Sequence, residues 1–217
     1  NECSGSSDGG GVYIHAGTFT LNSGAFIEGN TAYYGGGAYV GQNGTLIING
    51  GSIKLNKAYR GGGVYVSGNS TKRGTLRMIQ GDISDNGAGW DGTSYTGEGG
   101  GVYNNGIFEM TGGEIKGNSA NDGGGVYAEK ANVTITGCTF TGNEAKYGGA
   151  LFNRTGSYPL LLNCTFLGNK AIPQGGQGGE GSSVYNTGCS EGFCKPGGGR
   201  IVAFNSIFWD GGAEEIV

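Results

Sequence analysis

Proline occurs three times in 217 residues, and histidine once. The first scarcity removes a collagen-like reading of a glycine-rich chain, because a triple helix needs glycine at every third place and abundant proline. The second leaves a His-dependent triad nowhere to be built except around His15, where no partner is evident. Charge is sparse at 14%, with thirteen basic against seventeen acidic residues. That mildly acidic balance argues against a nucleic-acid surface, and Lys72-Arg73 is too short a basic cluster to reverse it. No run approaches the ~18 consecutive apolar residues of a membrane span. No segment keeps a helical period, and the calcium-binding nonapeptide repeat is missing.

What is abundant is glycine, at 52 residues, and it is placed periodically. Glycine blocks open at Gly9, Gly35, Gly61, Gly99, Gly123, Gly148 and, in degenerate form, Gly181; the spacings are 26, 26, 38, 24, 25 and 33 residues. Each block is followed by an apolar pair whose second member is aromatic: Tyr13, Tyr39, Tyr65, Tyr103, Tyr127, Phe152 and Tyr185. A second signature, Ile-x-x-Asn or Phe-x-x-Asn, ends at Asn30, Asn56, Asn86, Asn118, Asn143 and Asn169. Alanine follows each of these asparagines by two places, and a small residue (Gly51, Gly81, Gly113, Cys138, Cys164) precedes the last five by five places. The first turn carries one extra residue near Ser23.

Between the signatures lie short alternating runs rich in Thr, Ile, Val and Phe, such as Thr45-Leu46-Ile47-Ile48 and Val133-Thr134-Ile135. Bounded by Gly and Asn, they read as strands. A period near 25 residues signals a solenoid and leaves no room for a helix. The expected fold is all-β: a single-stranded parallel β-helix of about seven coils, with three short strands per coil, spanning 1–217 as one domain. Coils stacked about 4.8 Å apart would set the six asparagines over one another as an amide ladder. Asn1-Glu2-Cys3 repeats Asn143-Glu144-Ala145, so the chain reads as a segment of a longer repeat protein.

Gly-Gly-[Gly/Ala]-[Val/Leu] paired with [Phe/Ile]-x-x-Asn resembles the chlamydial polymorphic outer membrane protein repeat, written GGA[ILV] and FxxN. Gly148-Gly149-Ala150-Leu151 and Phe166-x-x-Asn169 match both without change. Leu162 to Ala171 and Asn205 to Trp209 also resemble right-handed parallel β-helix proteins of bacterial surfaces. The departures are Gly-Gly-Gly for the alanine form in most coils and Ile for Phe in the first four. The resemblance implies a right-handed coil and a secreted or outer-membrane location. Repeats of this kind serve adhesins, autotransporter passengers and polysaccharide-active enzymes alike.

Function in a solenoid is expected at turn insertions, where one coil differs from the next. Gly87 to Glu98 is one, and its Trp90, Asp91 and Tyr95 are candidates to stack on and hydrogen-bond a sugar or a host protein. The bland alternative is a Trp90 folded back onto the solenoid. Other insertions fall at Lys170 to Glu180, Asn69 to Arg73 and Asn186 to Arg200. Cys189 and Cys194, in the last of these, are a disulfide candidate; Cys138 and Cys164 read as buried thiols. The recurring aromatics are either a packing ladder or a binding platform, and their direction is open because adjacent strand residues face opposite ways. A lyase or hydrolase reading would rest on Asp82, Asp85 and Arg77 with Glu114, for which surface charge is the plain alternative. No metal or cofactor is expected. The functional expectation is a rigid surface scaffold and adhesin for host protein or glycan, against a polysaccharide-active segment or a spacer.

Overall fold

The structure, a computed structural model, describes residues 8–89, 97–173, 179–187, 201–209 and the backbone of 189–190 and 193–194. It is a β-solenoid whose stacked strands are parallel and in register, with no helix among the described residues. The first face of each coil follows the glycine block, as in Val64–Val66 and Val126–Ala128. Its first residues form one column, Val12, Ala38, Val64, Val102, Val126, Leu151 and Val184, seven rungs that bound six turns. The second face carries the column Leu21, Ile48, Met78, Met110, Ile135 and Leu161. The third carries Ile27, Ile53, Ile83, Ile115, Phe140, Phe166 and Phe208. These columns meet in one continuous buried core.

A fourth, shorter arc follows the asparagine, as in Thr31–Tyr34 over Lys57–Arg60 over Gly87–Ala88, and Glu144–Ala145 over Lys170–Ala171. Only three strands per coil were expected, because this arc is two to four residues long and shows too little alternation to read. It forms because the residue after each asparagine donates its N–H to the preceding coil's asparagine carbonyl, for example Lys57 to Asn30 at 2.9 Å. The alanine then points inward at a bend with no room for more, Ala58 being fully buried.

Two places in the glycine block explain its composition. Gly35 sits at φ 65°, and the first glycine of every other block is likewise left-handed, a region closed to most side chains. At the next place there is no space: a Cβ on Gly36 would lie 2.5 Å from the carbonyl oxygen of Gly62 in the neighbouring coil. The third place is nearly as tight, a Cβ on Gly37 lying 2.6 Å from Gly63 O, yet Ala150 and Ser183 occupy it, as Ser182 occupies the second place in the last block.

The asparagine amides are bonded on every side. Asn118 Oδ1 accepts from both the backbone N–H and the Nδ2 of Asn86, each at 3.0 Å. Its own Nδ2 donates to Ile83 O at 2.9 Å and to Asn143 Oδ1 at 3.0 Å. The same set recurs at Asn56, Asn86 and Asn143, all buried. The acceptor Ile83 opens one [Phe/Ile]-x-x-Asn signature and Asn118 closes the next, so the two signature positions are coupled between coils. Asn118→Asp turns both Nδ2 donors into acceptors facing acceptors. It should lower unfolding stability by about 3 kcal/mol or more, whereas the exposed Asn132→Asp should stay within about 0.5 kcal/mol; urea unfolding monitored by circular dichroism would separate them.

A second amide column is interrupted. The last inward position of the first face is Asn104, then Ala128, then Asn153, then Asn186. Asn153 Nδ2 donates to Asn186 Oδ1 at 2.7 Å, but Asn104 Nδ2 and Asn153 Oδ1 are buried without partners. They flank Ala128. We expect Ala128→Asn to supply an acceptor to one and a donor to the other and to raise stability by about 1 kcal/mol. A lower thermal midpoint would mean that the core cannot take the added volume.

In the interior, Phe140, Phe166 and Phe208 stack at 4.8 and 4.6 Å between centroids. Cys138 and Cys164 lie in the core as free thiols, and burial pushes the Cys138 thiol up to about 12. The backbone register sets Cys189 opposite Cys194 in a two-stranded antiparallel ribbon.

Candidate functional site

The recurring aromatics face outward, on the side of the first face opposite the valines. Centroid separations along Tyr13, Tyr39, Tyr65, Tyr103, Tyr127, Phe152 and Tyr185 run from 4.7 to 5.3 Å, and the first five ring pairs lie within 16° of parallel. The middle of this column is roofed. Tyr103, Tyr127 and Phe152 are buried with Tyr147 packed on them, forming a second, external cluster. Tyr103 donates to Glu129 Oε2 at 2.6 Å, and Arg154 Nη1 donates to Tyr127 Oη at 3.0 Å and contacts Glu129 Oε1 at 3.2 Å. The Arg60 guanidinium lies over Tyr103 at 5.5 Å and meets Glu98 at 2.5 Å, a close charge contact outside hydrogen-bonding alignment.

Burial raises two nearby carboxyls, those of Glu98 and Asp122. Glu98 is lifted despite Arg60, and Asp122 is pushed up to about 6, by burial first and the Glu98 charge second. A carboxyl that titrates higher when folded holds its proton where the unfolded chain has released it. Its stabilising contribution is therefore full below the ordinary value of 3.8 and is lost as pH rises through about 6. Asp122→Asn should accordingly gain about 1 kcal/mol at pH 7, discounted for partial exposure, and flatten the stability profile between pH 4 and 6. Thermal melts of parent and variant across that range test the sign.

Toward the lower-numbered coils the roof ends. Tyr13 is 52% exposed, and Tyr39 and Tyr65 are half-buried. Beside them opens a groove of about 340 Å³ lined by Tyr13, His15, Tyr39, Gln42, Asn43 and Lys72. Unequal turns create it. Ile14 pairs with Val40, but Ala16 pairs with Asn43, so the second coil carries one residue more than the first at this turn. In the third coil the turn grows into a loop from Ser67 to Gly74, closed by a Gly68–Arg73 bridge. The loop is well held. Asn69 Oδ1 accepts from Thr71 N, Thr71 Oγ1 and Lys72 N at 2.8 to 3.0 Å, and Asn69 Nδ2 donates to Gln42 Oε1 at 3.1 Å. Arg73 Nη1 reaches Lys130 O at 3.1 Å and Gly106 O at 3.3 Å, pinning the loop across two further coils. This insertion and the aromatic phase were both visible in the sequence; the one-residue difference at Gly41-Gln42 was the missed signal.

Trp90, Asp91 and Tyr95 lie outside the described residues, as do the side chains of Cys189 and Cys194. The group Asp82, Asp85 and Arg77 is not brought together. Arg77 pairs with Glu109 at 3.1 Å on the second face. Asp82, on the third, accepts from Ser52 and Ser84 hydroxyls at 2.9 and 2.6 Å. Asp85 sits at a left-handed turn, φ 54°. Glu114 lies in register with Asp82, bonded by Thr141 at 2.5 Å and by Lys116 at 3.1 Å. Among the described residues, no His, Cys, Asp and Glu side chains cluster as a metal site, and no helix is long and apolar enough to cross a membrane.

The family model of the Chlamydia polymorphic membrane protein repeat matches residues 137–154. That span runs from the bend before Cys138 through Phe140-x-x-Asn143 to Gly148-Gly149-Ala150-Leu151, so it holds both signatures once. No curated protein and no solved structure matches the chain. The match and the stacked parallel coils fit a β-helix repeat protein similar to the polymorphic membrane proteins.

Proposed function

We propose that the chain is one parallel β-helix domain within a longer bacterial surface protein, exported to the cell surface, outer membrane or medium. It acts there as a rigid scaffold and adhesion module. The observation that carries this reading is the groove beside the unroofed tyrosines, built where turn lengths diverge between otherwise superposable coils. In-register stacking supplies the rigidity, and turn insertions supply the surface that differs. The similarity to a surface-protein repeat over 137–154 supports the location. The partner is a host surface protein or glycan, met by the Ser67 to Gly74 loop, by the Trp90, Asp91 and Tyr95 insertion, or by both.

The test is binding of the intact chain to host cells, matrix proteins and a glycan array, alongside two variants. One shortens the Asn69 to Arg73 loop to the length of the second coil's turn; the other is Trp90→Ala with Tyr95→Ala. Binding that falls at least tenfold in either variant is expected. No binding by the parent to any surface would leave a spacer and overturn the adhesion reading.

A further inference from the structure

Three features of the groove bear on what it binds, and together they deepen the adhesion reading, on which this inference rests. Tyr13 stands 52% exposed at the groove, one face of its ring stacked on Tyr39 at 5.0 Å and His15 nearly parallel to it (14° between planes, 6.4 Å between centroids). The apolar ring edges and hydroxyls that Tyr13 and Tyr39 present suit the mixed C–H and O–H surface of a pyranose ring. Gln42 and Asn43 also line the groove, side-chain amides that both donate and accept, matching vicinal hydroxyls, with Gln42 Oε1 shared with Asn69 Nδ2. Lys72 lines it as well, and no carboxylate is among the lining residues.

The charge decides the class of sugar. The chain as a whole carries a formal net charge of −4, so a groove with a cation and no anion runs against the overall balance. The loop that carries Lys72 is held in place: the Lys72 backbone N–H donates to Asn69 Oδ1 at 2.8 Å, and the next residue, Arg73, anchors the loop. The 340 Å³ of the groove stands at the small end of the ~300–1,000 Å³ typical of ligand sites, which fits a short saccharide. We propose that the Tyr13–Tyr39–Lys72 groove is a subsite for an acidic saccharide. The sugar lies along the outer edges of Tyr13 and Tyr39, its hydroxyls bond Gln42 and Asn43, and its carboxylate pairs with Lys72.

The experiment titrates the intact chain with sialyllactose, digalacturonate and lactose by calorimetry or by NMR shifts. At least one acidic probe should bind ten times or more tighter than lactose. Lys72→Gln should erase that preference, Lys72→Arg should keep it, and Tyr13→Ala should weaken every saccharide about tenfold. Tyr13 and Lys72 are both exposed, so these variants keep the fold, which circular dichroism verifies. Equal affinity for lactose and the acidic probes overturns the acidic assignment. So does acidic-sugar binding that survives both Lys72→Gln and Tyr13→Ala. Capture of a polyglutamate peptide with no saccharide binding overturns the sugar assignment in favour of an acidic protein segment. If no saccharide binds while the parent still adheres to cells, this inference fails and the adhesion reading stands; if neither occurs, both fail.

Discussion

A buried asparagine amide has two protons and two lone pairs to satisfy, and in this chain only a coil stacked in register on either side can satisfy them. Asn56, Asn86, Asn118 and Asn143 each take this from the coils above and below and return it. Sliding one coil by a residue would leave several buried polar atoms unpaired at once, each costing roughly 1–3 kcal/mol. Shape alone does not enforce such a register, since Val, Ile and Leu columns pack acceptably in more than one phase. The amides make the phase a matter of all or nothing, and the glycine blocks permit it by letting neighbouring backbones approach without Cβ atoms between them.

With the register held, the remaining columns become consequences. Valines over valines fill the inside of the first face, while rings over rings lie outside it. The rings stay outside for two reasons. The interior between short faces is already filled by Leu, Ile, Met and Phe. The tyrosine hydroxyls also need partners, and Glu129 and Arg154 provide them only on the outer side. Where those partners stop, cover thins from Tyr65, which still packs on Tyr34, to the exposed Tyr13, and there the turns are of unequal length.

Much of this was legible in the residues and some was not. Period, strand character and the asparagine phase could be read because every coil repeats them at one spacing. The direction of Tyr13 through Tyr185 could not, because Val-Tyr alternation is symmetric: it says that the two face opposite ways without saying which is inside. The arc after each asparagine escaped because Lys57–Arg60 is four residues long and Gly87–Ala88 only two. The groove escaped because no single coil contains it. It is the difference among three turns, visible once Ile14, Val40 and Val66 are superposed. Arg77 and Asp82 are close in sequence yet occupy different faces, which proximity along the chain could not reveal.

The ladder also has a sense. From Asn30 to Asn169 each Nδ2 donates to the Oδ1 of the next coil, never the reverse. The amide dipoles therefore point one way along the axis and add, as peptide units do in a helix, and each bond polarises its neighbours. The solenoid is electrically a rod with a head and a tail. A coil laid on in the inverted orientation would set oxygen against oxygen or hydrogen against hydrogen, so repetition extends the array only with coils of the same sense.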